Sequence, residues 1–493
     1  MMLRRTLKMS RYPEFEAHSD FDWDEPLWPR EVDYDPSRHA SNNAHRFLCA
    51  RDDHARLICS DGDLYTLTGN NTYELMTDAQ VQSEIRQTDK EVRLDITKLG
   101  LMVREIKIAR SVSARPFEWI NARDDAPSPN DLILANNGIF NVATDELMDL
   151  TPDYFATGVP DWAFDREADC PMWKSKLGEW LEPSFHPTLQ EWFGLNLVPD
   201  TSFEKIAAMI GASRGGKGTI KGVLEQLVGR HHRASIMLND LAGDFGLQAM
   251  IDKRLMIIPD ASDTELSKRS MALERMKSIS GNDAVSVNRK NKAMLSEVRI
   301  PAKITLLANK HPKFIDESGA LAIRELVFVF DRSFAGKEDL TLKARLTDEL
   351  PGIANWAVEG LKRLRRNGKF TIGERGRVAQ EQLTDSQSPA LRFTKECLST
   401  TGDESDVLPV ALAFDAYREW ADRESLSMRE RRNRSDFKDD MIAALRARGV
   451  RYATNQIRWH DPHLSKLGNG ERVRARFVGL KLKREFHPEL LSP

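Results

Sequence analysis

The fold of this chain is decided by the stretch Gly211-Ala212-Ser213-Arg214-Gly215-Gly216-Lys217-Gly218-Thr219. Its G-x-x-x-x-G-K spacing is typical of a phosphate-binding loop. Glycines such as Gly211 and Gly216 let the backbone curl, so that several N–H groups point at the phosphates of a nucleotide. Lys217 adds a full positive charge near the β- and γ-phosphates. The stretch therefore predicts nucleotide binding.

The segments on either side of this loop argue against a chance match to the motif. Residues 206–210 form a short apolar run that suits a buried strand. After the loop, one helical face carries the apolar residues Ile220, Val223, Leu224, Leu227 and Val228. Gly229 can end that helix. A phosphate loop belongs between a strand and a helix, because the helix N-terminus adds positive potential.

The end of the motif is unusual. Gly218 stands where Ser or Thr normally coordinates Mg²⁺, and Thr219 comes one place later. The run GKGT also occurs in adenylate kinase-like enzymes, so the loop alone does not choose the reaction.

Length and composition limit the number of domains and the class of protein that this chain can be. A chain of 493 residues is too long for one domain, and roughly three are expected. With no run of about 18 apolar residues, no membrane span and no membrane partner are predicted. Four scattered cysteines favour a reduced, cytoplasmic compartment. The net charge of -3 is unevenly distributed: residues 14–36 are acidic, and residues 429–484 are rich in arginine.

We expect five regions. Residues 1–43 form an acidic flexible arm, and residues 44–165 mix short strands and helices in an α+β N-terminal domain. In the latter, His45, Cys49, His54 and Cys59 have no standard zinc-ligand spacing, so ordinary packing is expected. Residues 166–198 form a helical collar with tryptophans in its core. Residues 199–375 alternate strands and helices, which predicts a parallel sheet flanked by helices. Residues 389–486 follow a polar linker at 382–388.

Two polar residues follow predicted strands of the sheet. Asp260 comes just past residues 255–258, and Asn309 follows residues 304–308. An acid at such a strand end can reach the nucleotide and polarise the attacking water. A neutral amide can orient water or contact the γ-phosphate. The alternative for both is an ordinary turn or capping residue.

Two basic features come from the same region. Arg324 precedes a fourth strand at residues 326–330, either as a structural ion pair or as a charge presented to a phosphate. Residues 285–292 predict a hairpin whose tip carries Arg289, Lys290 and Lys292, although an exposed basic tip is often only a soluble turn.

The C-terminal region predicts a helix, a second helix capped by Ser435, and paired strands around Asn469-Gly470. Its first helix buries Ala413, Phe414, Tyr417 and Trp420. We expect its arginines to contact phosphates, which positions a nucleic acid without specifying sequence: Arg429, Arg431, Arg432, Arg434, Arg472, Arg474 and Arg476.

The order and spacing of several motifs together resemble a superfamily 3 helicase of the AAA+ class. The likeness is to the helicase portion of phage and plasmid primase-helicases, including the poxvirus type, and covers about residues 130–485. The motifs are residues 211–219, 277–292 with Ser280-Gly281-Asn282-Asp283, 304–309, 316–324 and 350–356. The resemblance implies an AAA+ ATPase core and a C-terminal winged helix.

The resemblance also implies roles within one subunit. Lys217 and Thr219 would hold the phosphates of ATP and Mg²⁺, with Gly211, Gly216 and Gly218 shaping the loop. Asp260 would be the Walker B acid and a metal contact, and Asn309 the first sensor. Pro259 replaces the first of two acids found in many relatives, so that the missing acid could come from Asp263 through water.

Further implied roles reach between subunits of a ring, expected to be a hexamer with ATP bound at its interfaces. Arg324 would be the arginine finger, and Lys277 a second charge acting on the neighbouring site. Lys290, with Arg289 and Lys292, would lie on a hairpin that lines the pore and grips one DNA strand.

The predicted function is an ATP-dependent DNA helicase for phage- or plasmid-type replication, acting on single-stranded and forked DNA in a bacterial host cytoplasm. The arm is too short for a primase domain, so a separate primase or replication protein is expected as a partner. Alternatives are an ATP-switched initiator that melts an origin, and a nucleotide kinase.

Overall fold

The computed structural model describes residues 34–35, 38–52, 56–89, 94–261, 266–312, 314, 320–337, 339–387, 389–426, 431–446, 450–459 and 471–486. The chain divides into two compact units. The first holds residues 1–69 and 73–113, and the second holds residues 70–72 and 114–493. The predicted domain of residues 44–165 therefore spans parts of both units.

The first unit packs helices beside a small antiparallel meander of strand order β1-β2-β3. Its elements are α1 (Ala40–Asp52), β1 (Leu57–Ser60), β2 (Asp63–Leu67), β3 (Tyr73–Met76), α2 (Asp78–Thr88) and α3 (Ile96–Ala109). A turn at residues 61–62 joins β1 to β2, with Ser60 opposite Asp63. Helix α1 begins at Ala40, so the last residues of the predicted flexible arm are helical, and residues 1–33 lie outside the described part.

The second unit opens with an antiparallel sheet and two helices that lead to the glycine-rich loop. These elements are β4 (Leu132–Ala135), β5 (Gly138–Asn141), β6 (Glu146–Met148), α4 (Pro171–Trp180) and α5 (His186–Asn196). The predicted collar tryptophans Trp173 and Trp192 are fully buried, and Nε1 of Trp192 donates to Oγ1 of Thr305 at 3.0 Å. The collar is thus part of the core beneath the central sheet.

The central sheet has five parallel strands in the order β13-β7-β12-β9-β8. The elements of this region are β7 (Ile206–Gly211), α6 (Lys217–Val228), β8 (Arg233–Ser235), α7 (Leu238–Leu241), β9 (Leu255–Ile258), α8 (Leu266–Ser280), β10 (Val285–Val287), β11 (Leu295–Val298), β12 (Lys303–Ala308), α9 (Ala320–Arg324), β13 (Glu325–Phe330), α10 (Leu342–Asp348), α11 (Leu350–Asn367) and α12 (Glu374–Gln387). The predicted parallel sheet with flanking helices is confirmed.

Both faces of this sheet are covered, which explains why its strands are apolar runs rather than alternating ones. Ala207 and Met209 face a core shared with α4, α5, α6 and α11. Ile206 and Ala208 face the opposite core, shared with α7 and α8. Side chains of a strand alternate between the two faces. Helices α5 and α11 lie so close that a methyl at Gly360 would overlap the backbone carbonyl of Gln190.

The C-terminal region comprises three helices and short antiparallel strands. They are α13 (Pro389–Cys397), β14 (Leu398–Thr400), β15 (Val407–Pro409), α14 (Val410–Arg423), α15 (Arg434–Arg446), β16 (Arg451–Ala453), β17 (Ile457–Trp459), β18 (Glu471–Val473), β19 (Arg476–Val478) and β20 (Leu480–Leu482). Strand β16 pairs with β19, and β17 with β18. The predicted turn at Asn469-Gly470 lies outside the described residues.

Two local predictions in this region are wrong. The polar segment predicted as a linker forms the end of α12, because Ala379 and Leu383 bury one face of that helix against Val327 of β13. Asn433 caps α15 in place of Ser435: its Oδ1 accepts from the backbone N–H of Ser435 at 2.9 Å and of Asp436 at 3.0 Å. In the described part of the chain, no helix has both the length and the apolar character needed to cross a membrane.

Candidate functional site

The glycine-rich loop (residues 211–219) joins the carboxyl end of β7 to the N-terminus of α6, as predicted. Gly211 has φ 130° and Gly216 has φ 98°, a backbone conformation that favours glycine. A Cβ atom at Gly211 would overlap the carbonyl oxygen of Phe330, and one at Gly216 would lie 2.5 Å from Cγ of Trp180. Both positions therefore require glycine for conformation and for space.

Lys217 is the first residue of α6 and is only 8% exposed. Its ammonium donates to the carbonyl oxygens of Gly211 at 2.6 Å and Ala212 at 2.7 Å. Burial lowers the pKa of Lys217. The loop thus holds a cationic group by two neutral carbonyl acceptors.

A cavity of about 480 Å³ opens at this edge of the sheet. It is lined by the loop from Ser213 to Thr219 and by Pro259, Asp260 and Asn309. Parallel strands β7, β9 and β12 end at one edge, which is why residues far apart in sequence meet here. The structure therefore brings together Gly216, Lys217, Gly218, Thr219, Asp260 and Asn309, with Gly211 at the base of the loop.

Sequence reasoning missed the other half of the cavity lining. Helix α4 contributes Lys176, Glu179 and Trp180, and the segment after β13 contributes further residues. The latter are Phe334, Lys337, Asp339 and Leu342. Strands β12 and β13 lie on opposite sides of β7, so this half is across the loop from Asp260 and Asn309. Trp180 was predicted as core only, since no sequence signal reveals that it covers the loop.

Arg324 and Lys277 are not among the described residues that line the cavity. The register pairs Gly211 with Phe330 and Ile206 with Glu325, the residue after Arg324. Five residues of strand at about 3.3 Å each place Glu325 about 16 Å from the loop, and Arg324 precedes it at the opposite edge of the sheet. Its Nη2 lies 3.4 Å from Oε2 of Glu204, and its buried Nε has no hydrogen-bond partner among the described residues.

Lys277 lies in α8, where its Nζ is 2.7 Å from Oε1 of Glu274. Arg324 is close to the turn that follows this helix: a Cβ atom at Gly281 would lie 3.1 Å from the carbonyl oxygen of Lys277 and 3.4 Å from Nη2 of Arg324. The two cations predicted to act in trans are therefore both in the region around the end of α8, and neither lines the cavity.

The predicted basic hairpin is formed by β10 and β11, with Val285 opposite Val298 and Val287 opposite Leu295. Its tip holds Arg289, Lys290 and Lys292, of which the two lysines are exposed. The backbone N–H of Lys290 donates to Oε1 of Gln248 at 2.9 Å, and Nε of Arg289 donates to the carbonyl oxygen of Ala293 at 3.0 Å. The backbone of the tip is therefore held while lysine side chains reach solvent.

Several C-terminal arginines predicted to contact phosphates are engaged within the chain. Arg431 pairs with Asp422, and Nε of Arg432 donates to Oδ2 of Asp440 at 2.8 Å. Arg476 is buried, and its Nη2 donates to Oδ1 of Asn455 at 2.8 Å. Each of these three guanidiniums has a partner within the fold, and their contact with phosphate stays a prediction.

Arg434 and Arg474 are exposed, as phosphate contacts require. Arg429 and the side chain of Arg472 lie outside the described part of the structure. Asp263, the predicted indirect metal contact, also lies outside the described residues, as do residues 316–319, the first four of the motif at 316–324.

Two family models match parts of the chain. Residues 209–324, from the glycine-rich loop to Arg324, match a family of unknown function (DUF5906), and residues 102–182 match a model described as D5 N terminal like (D5_N). Neither match spans half of the chain.

The fold is similar to that of the apo structure of the NrS-1 C-terminal region (305-718), with a TM-score of 0.53 and 12% identity, over 90% of this chain and 100% of that chain. An A form apo structure of the NrS-1 C-terminal region gives a TM-score of 0.50 and 11% identity, over 87% of this chain and 97% of that chain. At such identities the likeness concerns the fold alone.

Proposed function

We propose that this protein hydrolyses ATP at the contacts between identical subunits and uses the reaction to move along single-stranded DNA as a helicase. One observation carries the proposal: Lys217, Asp260 and Asn309 share a cavity, while Arg324 lies at the opposite edge of the same sheet. This separation is what a site completed by a neighbouring subunit requires.

The residues present fit a nucleotide with a divalent cation. The loop has glycines at positions 211 and 216, where a Cβ atom would overlap Phe330 or Trp180, and α6 directs its N-terminus at the cavity. Lys217 would exchange its two carbonyl partners for phosphate oxygens. Thr219 and Asp260 would hold Mg²⁺, which prefers such oxygen ligands and would neutralise phosphate charge.

Hydrolysis at this site depends on orientation and charge more than on covalent chemistry. Asp260 would accept a hydrogen bond from the attacking water and polarise it. Asn309, at the end of the adjacent strand, would orient the same water or the γ-phosphate. Lys217 holds the phosphates in position.

Arg324 supplies the remaining charge to a neighbour. Its contact with the exposed Glu204 is a surface ion pair, worth at most about 1 kcal/mol, so a phosphate can displace it. An arginine finger typically contributes about 10³ to 10⁵ in rate. Because each subunit offers a cavity at one edge and a finger at the other, copies associate head to tail into a ring, which we take to be a hexamer. Lys277 would act as the second trans-acting cation.

DNA contact is assigned to two places. The hairpin tip with Arg289, Lys290 and Lys292 would line the pore, and residues 389–486 would act as a winged helix using Arg434 and Arg474. The protein would work in a bacterial host cytoplasm with a separate primase.

The test is strand displacement on a forked DNA without any origin sequence, together with ATPase activity stimulated by single-stranded DNA. We expect both for the wild-type protein and neither for Lys217→Ala. Stimulated ATPase without strand displacement would favour an initiator that melts an origin. Phosphoryl transfer to a nucleoside monophosphate, without stimulation by DNA, would favour a kinase.

A further inference from the structure

The junction between α9 and β13, which carries Arg324, is held by side chains from two other elements. Nε2 of Gln380 in α12 donates to the carbonyl oxygens of Ala322 at 2.8 Å and Glu325 at 2.9 Å. Nζ of Lys205, just before β7, donates to the carbonyl oxygen of Ile323 at 2.6 Å. Three backbone carbonyls on either side of Arg324 are thus anchored from within the subunit.

Gln380 is itself fixed by its neighbours. Ala379 and Leu383 pack on Val327 of β13, and Arg375 of α12 pairs with Asp331 at 2.6 Å. These contacts flank Gln380 along the helix, so its amide has little freedom to follow a moving junction. Gln380 is therefore a rigid link between α12 and the backbone around Arg324.

The junction between α9 and β13 is also held by a contact on its buried side. The carboxylate of Glu325 is fully buried, and Nε2 of His311 lies 3.0 Å from both of its oxygens. Outward, the junction exposes Ile323 at 69% and the Arg324 side chain at 24%. Its backbone is thus held inside while two side chains are presented at the surface.

We propose that Gln380 is a positioning residue that fixes the end of α9 so that Arg324 reaches the nucleotide site of a neighbouring subunit. This inference rests on the proposed function, since it gives Gln380 no role apart from Arg324. Gln380 would not touch the nucleotide. Its loss should lower turnover without changing the affinity for ATP.

The experiment uses the full chain with single-stranded DNA and compares Gln380→Met, which keeps the length but has no N–H, with Gln382→Met. Gln382 is exposed on the same helix and serves as the matched control. A displacement of about 1 Å can cost about 100-fold in rate. We expect Gln380→Met to lose about 10- to 100-fold in kcat with unchanged ATP affinity, and Gln382→Met to match the wild type. Gln380→Glu, which also lacks N–H groups, is the second variant if Gln380→Met unfolds.

Two further results separate positioning from general damage. Arg324→Ala combined with Gln380→Met should turn over no more slowly than Arg324→Ala alone, because both changes remove one effect. Mixing Gln380→Met with Lys217→Ala subunits should restore turnover, because the latter supply well-placed fingers. Additive losses of turnover in the double variant, or no restored turnover in the mixture, would overturn the proposal.

The same variants distinguish a failure of the proposal for Gln380 from a failure of the proposed function. If Arg324→Ala is inactive while Gln380→Met and Gln380→Glu turn over like the wild type, only the role of Gln380 is wrong. If Arg324→Ala itself turns over like the wild type, both proposals are wrong.

Discussion

Replacing Gly216 by alanine should damage nucleotide binding through two separate costs. The residue has φ 98°, where an alanine costs roughly 1–2 kcal/mol. Its new Cβ atom would also lie 2.5 Å from Cγ and 2.9 Å from Cβ of Trp180, closer than real contacts allow. Adding a methyl to a packed site costs about 1–3 kcal/mol. The two costs together are about 2–5 kcal/mol.

Because the loop can avoid both costs by leaving its observed shape, the penalty falls on re-forming that shape around a nucleotide. A cost of 2 kcal/mol corresponds to about 30-fold in affinity, and 5 kcal/mol to several thousand-fold. We therefore expect Gly216→Ala to weaken ATP binding at least about 30-fold in an equilibrium fluorescence titration, with little change in the thermal unfolding midpoint.

The matched control is Gly222→Ala, nearly two turns further along α6, where a Cβ atom meets no described heavy atom within 4 Å. It should bind ATP as the wild type does. Adding Gly216→Ala to Trp180→Ala should cost less than adding it to the wild type, because the indole is gone and only the contact with Cβ of residue 180 remains. Wild-type affinity in Gly216→Ala would refute the placement of Trp180 against the loop.

Three other predictions test separate parts of the molecule. Lys290→Ala should keep basal ATPase activity but lose stimulation by single-stranded DNA and strand displacement; retained stimulation would remove the hairpin from the DNA path. Arg434→Ala should weaken DNA binding and reduce the dependence of that binding on salt concentration. Arg432→Ala breaks the pair with Asp440, so it should lower the free energy of unfolding with little effect on the salt dependence of DNA binding. Gly360→Ala should lower the free energy of unfolding by about 1–3 kcal/mol, because α5 and α11 must separate to make room for the methyl group. Its control, Gly178→Ala at an exposed position in α4, should raise the free energy of unfolding by up to about 1 kcal/mol. Equal effects of the two variants in denaturant titrations would contradict this packing.

The sequence was sufficient for the central sheet and for one half of the cavity. Apolar runs of four to six residues, each followed by a polar residue, are a local signal, and the geometry of parallel strands brings Asp260 and Asn309 to the loop. The roles of these residues, and those of Arg324, Lys277 and the hairpin cations, stay predictions.

The other half of the cavity had no such signal. Trp180 looks like any buried tryptophan on a helical face, and Phe334 follows a strand without a motif. Their position over the loop depends on how α4 and the segment after β13 pack, which no short pattern encodes. The same limit applies to the arginines: a run of cations does not reveal that Asp440 and Asn455 already hold Arg432 and Arg476.

The most direct test of the central claim mixes two inactive variants, Arg324→Ala and Lys217→Ala, and measures ATPase activity with single-stranded DNA. Each variant alone should be inactive. In an equal, random mixture, an interface is active only when an intact cavity meets an intact finger, which occurs at about a quarter of heterologous interfaces. We predict activity approaching about a quarter of the wild-type value. No activity at any mixing ratio, with both variants assembled, would contradict a nucleotide site shared between subunits.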